Sequence, residues 1–404
     1  MVRKEKLVLD DIKVLDFTRV LAGPLCTMHL GDMGADIIKI ESHRGDDTRH
    51  WGPPWTSDNP DTRMSAYYLS VNRNKRSLTL NLKTAEGQAI ARQLASKSHI
   101  VIENMKPNTM AKFGLGYDDL KVDNPALVYA SISGFGQTGP YRDRPGYDHV
   151  IQAMSGLMSI TGSAEGAPHK VGVAITDVIT GLFALSSILA ALRHAEHTGE
   201  GQHLDVSLLD SQLSALVNIA SNTLISGHSP VRHGNNHPNI VPYQVFSASD
   251  GDFVVAVGND GQFASLCHLI QRPDLIDDAR YHSNSLRVEN RDSLIVTLSE
   301  IFKTQTAQTW VENLLAVGIP SGPINTVSQI LDDPHVNARG LIQEGTLPDG
   351  DTWRYIGAPV GFSQTPAQMR LPPPKLGQHT SEILRDVLGM GDKTITAYRE
   401  QGII

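Results

Sequence analysis

The sequence predicts an α/β fold of the doubly wound kind, and three observations support this prediction. Short apolar stretches of strand character alternate with helical stretches through the first 225 residues, an order typical of a parallel sheet covered by helices. The composition is that of an ordinary globular α/β protein, with 404 residues, 40% hydrophobic and 19% charged. Residues 226–237 are rich in Gly, His, Asn and Pro, which indicates a boundary to a second domain.

Overall charge and cysteine content narrow the class of protein. A net charge of −8 argues against nucleic acid as a partner. Two cysteines, Cys26 and Cys267, offer no disulfide framework, which suits a reducing compartment, and each is expected to be a small core residue. Residues 1–11 lack an apolar signal region, and no stretch reaches the roughly 18 uninterrupted apolar residues of a membrane span. We therefore expect a cytoplasmic protein without a membrane partner, and we assign no metal ligands.

The first 41 residues predict a β-α-β unit, with strands at 12–17 and 36–40 and a helix at 22–33. Glu41 follows the second strand, as an acidic residue does in domains that bind a nicotinamide cofactor. The first turn lacks the Gly-x-Gly-x-x-Gly pattern, however, so the backbone would not approach a pyrophosphate closely. An NAD-dependent dehydrogenase therefore stays an alternative that the sequence disfavours.

Further strands are predicted at 77–82, 100–103 and 127–133, with a helix at 84–96. Doubly wound sheets bind ligands in the loops at the carboxyl ends of their strands. Five basic residues lie in or near these loops: Lys75, Arg76, Lys83, Lys106 and Lys112. Several cations on successive strand–loop junctions predict a site for phosphates.

The remaining elements complete the predicted domains. The first domain continues through a glycine-rich loop at 134–139 and further elements, which are a helix at 149–158, a strand at 201–207 and a helix at 208–225. A β-hairpin at 243–257, with its turn at 249–251, and helical segments up to 317 follow. The chain then returns to the first domain and ends in a helix at 381–388. The predicted domains are a large domain at 1–225, a small domain at 226–323, and a return to the large domain at 324–404.

One carboxylate lies at the start of a mostly apolar helix that extends through 182–192 and is closed by Gly199. Thr176 is a good N-cap residue, and Asp177 falls in the first helical turn. The positive end of the helix dipole is expected to favour the ionised carboxylate. Because Asp in a first turn is a common stabilising device, this position alone assigns no function to Asp177.

Several segments, in this order, resemble the class III CoA-transferases, the family of formyl-CoA and carnitine CoA-transferases. The matching stretches span nearly the whole chain: Val14-Leu-Asp-Phe, Ala22-Gly-Pro, Gly34-Ala-Asp-Ile-Ile-Lys-Ile-Glu, Asn74-Lys-Arg-Ser, Glu103-Asn, Asp177 to Gly181, Ala190-Ala-Leu-Arg, Thr198-Gly-Glu-Gly-Gln, Gly318-Ile-Pro and Gly377-Gln-His-Thr. The resemblance implies a Rossmann-like large domain, a smaller α+β domain and an interlocked homodimer in which each chain threads the other.

The resemblance also implies roles for individual residues. The nucleophile of such enzymes is an Asp at the start of a helix, and it aligns with Asp177. The residues expected to contact CoA are Leu21, Ala22, Arg44, Leu80, Asn81, Lys83, Asn104, Met105, Lys106, Lys112, Arg144 and Tyr147. Lys112 stands where relatives carry Arg. Acyl-CoA and small carboxylic acids are the expected substrates, with no permanently bound cofactor.

The same fold hosts α-methylacyl-CoA racemases, which abstract a proton from the substrate. Those relatives place a His–Asp pair where this chain has Tyr147-Asp148. Tyr, with an ordinary pKa of about 10, is a poor base at neutral pH, so a transferase is expected. A racemase-like isomerase and a non-catalytic CoA-binding protein, which would not need Asp177, stay alternatives.

Two stretches resemble family members that use succinyl-CoA and five- or six-carbon dicarboxylates such as glutarate: His237-Pro-Asn-Ile-Val-Pro-Tyr and Gly258-Asn-Asp-Gly-Gln-Phe-Ala. The second occupies the general region in which formyl-CoA transferases carry a mobile glycine run. Gly258 and Asn259 are therefore expected at the substrate.

Arg19, His43 and Arg44 are candidates to neutralise a second carboxylate of the substrate. The backbone amides of 134–139 and 258–261 are candidates for an oxyanion site. The expected activity is CoA transfer (EC 2.8.3.-) from succinyl-CoA or another dicarboxylyl-CoA to a carboxylic acid, through an aspartyl-CoA thioester.

Overall fold

A computed structural model describes residues 6–60 and 62–404. Residues 1–5 of the charged N-terminal segment and residue 61 lie outside the described residues. The chain divides into two compact units: the larger one comprises residues up to Leu157, Val171–Gly227 and His335–Ile404, and the smaller one comprises Met158–Lys170 and His228–Pro334. The domain boundaries expected from the sequence remain a prediction, separate from this division into compact units.

The larger unit is organised around a parallel sheet of six strands within the described residues, in the order β3-β2-β1-β4-β5-β6. The strands are β1 (Lys13–Asp16), β2 (Asp36–Glu41), β3 (Lys75–Thr79), β4 (Ile100–Glu103), β5 (Val128–Ser133) and β6 (Gln202–Ser207). The strand order reverses between β1 and β4, so a crevice opens there at the carboxyl ends of the strands. The predicted doubly wound α/β sheet is confirmed.

The helices of the described residues follow in chain order: α1 (Ala22–Asp32), α2 (Ala66–Val71), α3 (Ala85–Ala95), α4 (Thr109–Lys112), α5 (Tyr117–Leu120), α6 (Asp148–Met154), α7 (Leu157–Ile160), α8 (Ile175–Thr198), α9 (Leu208–Ser214), α10 (Val217–Ser226), α11 (Asp260–Leu269), α12 (Asp274–Asp277), α13 (Asn284–Glu289), α14 (Arg291–Phe302), α15 (Ala307–Ala316), α16 (Val327–Leu331), α17 (Pro334–Ala338), α18 (Thr380–Asp386) and α19 (Asp392–Glu400). A short 3₁₀ helix spans Asp47–His50. The antiparallel strands are β7 (Tyr243–Ser247), β8 (Asp252–Ala256) and β9 (Ser321–Pro323) in the smaller unit, and β10 (Ile342–Thr346) and β11 (Thr352–Ile356) in the larger.

Side chains of successive strand residues alternate between two cores, because the side-chain period of a strand is two. Val14 and Ile37 belong to one core, which α1 and α8 cover. Leu15 and Ile38 belong to the other core, which α3 and α18 cover. The central sheet is therefore buried on both faces.

Three predicted elements differ from the structure. The strand predicted at 77–82 is β3 and begins at Lys75, whose side chain is fully buried; its charge made the sequence look like a turn. The helix predicted at 208–225 is broken into α9 and α10 near Val217, which has a φ of 36°. The helix predicted at 149–158 is broken into α6 and α7 at Gly156, which has a φ of 90°. Polarity and local backbone geometry thus override the apolar pattern at these positions.

Helix α8 passes through the core of the larger unit. It ends at Gly199, whose φ of 76° gives the predicted glycine C-cap. Among the described residues, α8 is the one helix whose length and composition would suffice to cross a membrane. Ala184, Ile188 and Ala191 are buried in the sheet core, whereas Leu182 and Phe183 of the same helix are 47% and 42% exposed. Cys26 and Cys267 are both buried, as expected of small core residues.

Candidate active site

Asp177 lies in the first turn of α8, as predicted, but Thr176 is not the N-cap. The helix begins one residue earlier, at Ile175, and the Thr176 hydroxyl donates to Gln212 Oε1 at 2.8 Å. The capping oxygen belongs to Asp148 on α6: its Oδ1 accepts the backbone N–H of Thr176 at 2.8 Å and that of Asp177 at 3.4 Å. The predicted cap was wrong because a local pattern does not show a cap that another helix supplies.

The ionisation of Asp177 also differs from the prediction. Burial and the neighbouring Asp148 carboxylate raise the pKa of Asp177 to about 7. The expectation that the helix dipole keeps this group ionised was wrong, because desolvation and a like charge outweigh the dipole. At neutral pH the carboxyl group is therefore partly protonated, and its ionised form is more basic than an ordinary aspartate.

Asp177 opens into a cavity of about 160 Å³ at the crevice between β1, β4 and β5, which we call the Asp177 cavity. Its lining includes many of the residues expected at the substrates: Arg19, Leu21, Ala22, Asn104, Met105, Lys106, Arg144 and Tyr147. Arg142, Gly134 and Gly146 also line the cavity. Neither the place of Arg142 there nor the close approach of Gly134 to Gly146 was predicted from the sequence. A Cβ built on Gly134 would lie 2.6 Å from the Gly146 Cα, so neither position has room for a side chain.

The charges around the Asp177 cavity suit an anionic ligand. Asp177 is the one acidic residue among the described residues that line it, against four cations: Arg19, Lys106, Arg142 and Arg144. Arg144 stacks on Tyr141, with its guanidinium carbon 3.8 Å from the ring centroid. A cleft lined by one sign of charge raises the local concentration of ligands of the opposite sign.

One wall of the cavity is the loop that follows β1. The Asn104 side chain brackets Arg19, since Oδ1 accepts the Arg19 N–H at 3.0 Å and Nδ2 donates to the Arg19 carbonyl at 2.7 Å. Val20 has a φ of 72°, unusual for a β-branched residue, and its N–H donates to Asp46 Oδ1 at 3.2 Å. Asp46 is held in turn by the fully buried Lys39, at 2.9 Å. The hydrogen bonds of the Asn104 side chain to the Arg19 backbone therefore help to hold this loop in place.

Two of the basic residues predicted to form a phosphate site have other partners. Lys75 Nζ is fully buried and donates to the Pro24 carbonyl at 2.9 Å and to Asn72 Oδ1 at 3.0 Å. Arg76 pairs with Asp36 and Glu382. Their assignment to a phosphate site was wrong, because the buried Lys75 is satisfied by carbonyl and amide oxygens and Arg76 is paired with two partly exposed carboxylates.

Glu41 is also fully engaged. Its carboxylate accepts from Arg49 Nε at 2.8 Å, from Arg49 Nη2 at 2.7 Å and from the Ser77 hydroxyl at 2.6 Å. Burial tends to raise the pKa of Glu41, but the Arg49 guanidinium outweighs it and holds that pKa below the ordinary value. Because both of its oxygens already accept hydrogen bonds, the Glu41 carboxylate is not available to bind a cofactor ribose, which further disfavours a dehydrogenase.

The other expected ligand residues lie outside the lining of the Asp177 cavity. Lys83 and Lys112 are exposed, Leu80 is 1% exposed within a core, and the Asn81 side chain accepts from the Lys83 N–H at 3.1 Å. His43 and Arg44 are exposed on the loop after β2, and Arg44 lines a separate cavity. Gly258 and Asn259 belong to the smaller unit, where the Gly258 N–H donates to Gln262 Oε1 at 2.8 Å and Asn259 caps α11. Their ligand roles stay predictions.

The expected oxyanion donors are partly used within the protein. In the loop over 134–139, the Gly136 N–H donates to Ser133 Oγ at 3.0 Å, and the Gln137 N–H donates to Asp205 Oδ2 at 2.9 Å. The Gly258 amide is also paired, as described above. The amides of Gly136, Gln137 and Gly258 are therefore not free to stabilise a developing oxyanion.

The sequence model of CoA-transferase family III matches residues 9–380. The chain is 46% identical to a succinate–glutarate CoA-transferase of Agrobacterium fabrum over 385 residues, which are 94% of this chain and 95% of that protein. It is 44% identical over 397 residues to the succinyl-CoA:glutarate CoA-transferase of Homo sapiens, with 98% of this chain and 90% of that protein covered.

More distant relatives and solved structures agree with these matches. A succinyl-CoA:mesaconate CoA-transferase of Haloarcula marismortui is 40% identical over 381 residues, covering 93% of this chain and 95% of that protein. The structure of a CAIB/BAIF family protein from Brucella suis superposes with a TM-score of 0.82 at 44% identity, covering 94% of this chain and 99% of that one. That of Rv3272 from Mycobacterium tuberculosis gives a TM-score of 0.83 at 30% identity, with the same coverage.

Proposed function

The chain belongs to CoA-transferase family III, as its ordered motifs predicted, and from that premise we propose that it moves CoA from succinyl-CoA or another dicarboxylyl-CoA to a carboxylic acid acceptor. The reaction passes through an aspartyl-CoA thioester on Asp177. The observation that carries this proposal is the position of Asp177, the one acidic group among the described residues lining a cation-lined cavity. The dicarboxylate is proposed because the relatives compared above are named for succinyl-CoA, glutarate and mesaconate.

The chemistry requires a carboxylate that attacks a thioester. The ionised Asp177 attacks the thioester carbonyl of the donor, and CoA leaves as the thiolate, which gives a mixed anhydride. The thiolate then attacks the Asp177 carbonyl of that anhydride, releasing the donor acid and leaving aspartyl-CoA. An acceptor carboxylate attacks this thioester, and the same two steps in reverse deliver acyl-CoA and restore the Asp177 carboxylate.

The surrounding residues supply binding and orientation. Arg19, Lys106 and Arg144 line the cavity and are placed to pair with carboxylate or phosphate oxygens of the substrates. Placement of Asp177 at the base of this cavity limits access of water, which would hydrolyse either intermediate. The raised pKa of Asp177 makes the ionised carboxylate more basic, and basicity favours attack on the thioester.

A racemase is the alternative within the same fold, and the contacts of Asp148 count against it. Proton abstraction would need a base at position 147, oriented by Asp148. Tyr147 is 62% exposed, and both Asp148 oxygens already accept hydrogen bonds, from the Thr176 N–H and from Gln152 Nε2. We also propose the interlocked homodimer, the cytoplasmic location and the absence of a permanently bound cofactor, on the strength of the family resemblance and the composition.

The decisive experiment incubates the protein with succinyl-CoA alone and measures its intact mass after a brief quench. We expect a species heavier by CoA minus water, since the donor acid leaves before an acceptor arrives. Peptide mapping is expected to place the adduct between Val171 and Arg193, and hydroxylamine is expected to convert it to a hydroxamate at Asp177.

Two variants make this result specific. Asp177→Asn is expected to lack the adduct and the transfer activity while still binding CoA, because the amide does not form an anhydride. Asp210→Asn, which alters the exposed first-turn aspartate of α9, is the control and is expected to keep both. An adduct on Glu41, Glu103 or Asp148 would show that the nucleophile is another carboxylate, and one on Cys26 or Cys267 would show that the covalent chemistry does not use a carboxylate.

A further inference from the structure

The backbone that leads into α8 is held by two side chains of α6. Asp148 Oδ1 accepts the Thr176 and Asp177 amides, as described above, and Asp148 Oδ2 accepts from Gln152 Nε2 at 2.7 Å. Gln152 is fully buried, and its Oε1 accepts the Val171 N–H at 2.9 Å. One Asp–Gln pair therefore fixes both ends of the segment 171–177.

This contact replaces a missing local cap. The N-cap residue of α8 is Ala174, whose side chain has no oxygen and therefore makes no capping hydrogen bond. A helix of 24 residues without a cap leaves its first amides unsatisfied, and those amides carry the positive end of the helix dipole. Asp148 satisfies two of them. The carboxylates of Asp148 and Asp177 therefore both lie at the positive end of the α8 dipole.

The same contact brings two carboxylates together. Of the charged and titratable groups around Asp177, only Asp148 bonds to its backbone amide within the described residues. The others come from the surrounding elements: Tyr67 from α2, and Arg19, Lys106, Arg142, Arg144 and Tyr147 from the loops that line the cavity. Burial, Asp177 and Asp148 together raise the pKa of Tyr67 to about 12.

We propose that Asp148 is a positioning residue of the transfer reaction, which fixes the first turn of α8 and favours the states in which Asp177 is covalently neutralised. This inference rests on the proposed function of Asp177. When the free Asp177 carboxylate becomes an anhydride or an aspartyl-CoA thioester, its negative charge is lost and the repulsion from Asp148 disappears. The hydrogen bonds that the two amides donate to Asp148 persist through both states, so the positioning is unchanged while the electrostatic balance shifts toward the adduct.

The test separates the charge of Asp148 from its hydrogen bonds. Asp148→Asn keeps an oxygen that accepts the two amides and removes the charge, although its Nδ2 does not accept the hydrogen bond from Gln152 Nε2; Asp148→Glu keeps the charge. The acidic limb of the kcat/KM profile reports the ionisation of the free enzyme. For the unmodified protein we expect this limb near pH 7, from the raised pKa of Asp177.

In Asp148→Asn the limb is expected to move down by about one pH unit, and the equilibrium ratio of aspartyl-CoA to free enzyme at fixed succinyl-CoA and succinate is expected to fall about tenfold, the factor that one pKa unit represents. Asp148→Glu is expected to keep the limb near 7 even if its kcat falls. Asp210→Asn is the control and is expected to change neither quantity. A uniform loss of activity in Asp148→Asn, with no shift of the limb, would overturn the inference, because a purely structural role produces that result.

Gln152→Met guards against a variant that does not fold. It removes the donor to Asp148 Oδ2, so the negative charge beside Asp177 is less compensated and the limb is expected to move up. A limb that stays in place or moves down overturns the inference. Failure of the proposed function is distinguishable: if Asp177→Asn still forms the adduct, Asp177 is not the nucleophile, whereas an unshifted limb in Asp148→Asn together with an inactive Asp177→Asn refutes only the role of Asp148.

Discussion

The wall of the Asp177 cavity offers a direct comparison of a buried and an exposed ion pair. Lys39 Nζ and Asp46 Oδ2 are 2.9 Å apart and both side chains are 0% exposed. Arg19 Nη1 and Asp47 Oδ2 are 3.1 Å apart, but these side chains are 50% and 54% exposed. The two distances are nearly equal, so burial and the additional hydrogen bonds of Lys39 and Asp46 distinguish the two pairs.

Lys39→Met keeps the volume of the buried stem and removes its charge. Asp46 is then a buried carboxylate without its cation, and the Thr18 carbonyl loses a donor that now lies at 2.7 Å. Breaking a buried pair in this way costs about 3–5 kcal/mol of the free energy of unfolding. Asp47→Asn is expected to cost less than about 1 kcal/mol, since exposed pairs contribute little. The KM for CoA is also expected to rise in Lys39→Met, because Val20 loses the support of a fixed Asp46.

Urea denaturation of both variants at pH 7, followed by circular dichroism, measures the difference. The contribution of the buried pair also has a defined pH dependence. Burial opposes ionisation of Asp46, but the charge of Lys39 outweighs it and lowers the pKa of Asp46 to about 2. A depressed pKa stabilises the fold above the unfolded value of 3.8 and loses that contribution as pH falls toward 2. The difference in the free energy of unfolding between wild type and Lys39→Met is therefore expected to become smaller below pH 4. Equal stability of Lys39→Met and Asp47→Asn at pH 7 would refute the reasoning.

Three further predictions follow from the site. Glutarate is expected to exceed valerate in kcat/KM by about ten- to hundredfold, because one charge-assisted hydrogen bond to the distal carboxylate contributes roughly 1.5–3 kcal/mol; equal values would contradict this. Tyr147→His is expected not to create a racemase, since both Asp148 oxygens are already engaged; deuterium exchange at Cα of a 2-methylacyl-CoA measures it, and rapid exchange in wild type would contradict the choice of a transferase. Asp177→Asn is expected to have a higher Tm than wild type at pH 8 but not at pH 4, because a carboxyl pKa raised from 3.8 to about 7 makes folding less favourable as pH rises through that interval; an equal Tm at pH 8 would contradict the raised pKa.

The sequence was informative wherever one element determined the outcome. The doubly wound α/β class follows from the alternation of strand and helix stretches, and Ile100–Glu103 and the first turn of α8 lie where the pattern predicted them. Asp177 was found because the family motif and the helix start coincide. Leu21, Ala22 and Met105 were expected to contact CoA from the family resemblance alone, and they line the cavity because they follow strands whose carboxyl ends meet there.

What the sequence did not predict depends on partners far apart in the chain. Thr176 looked like a cap because Asp148, 28 residues away, was not visible as a competitor. Lys75 looked like a solvated loop residue because its carbonyl partner Pro24 lies on another element, 51 residues away. The pKa of Asp177 follows from burial and from Asp148, and neither is a property of the local sequence.

The placement of Asp177 at the start of α8 has a consequence for how the site responds to heat. Hydrogen exchange of an amide in a buried core element requires the largest opening of the fold, whereas exposed loops open with little free energy. The backbone around Thr180 and Ala184 is buried in the sheet core, while Tyr141, Arg142 and Arg144 lie in an exposed loop. We therefore expect the amides around Thr180 and Ala184 to exchange more slowly than those of the loop that carries Tyr141, Arg142 and Arg144, so that warming loosens the charged loop before the helix that carries Asp177.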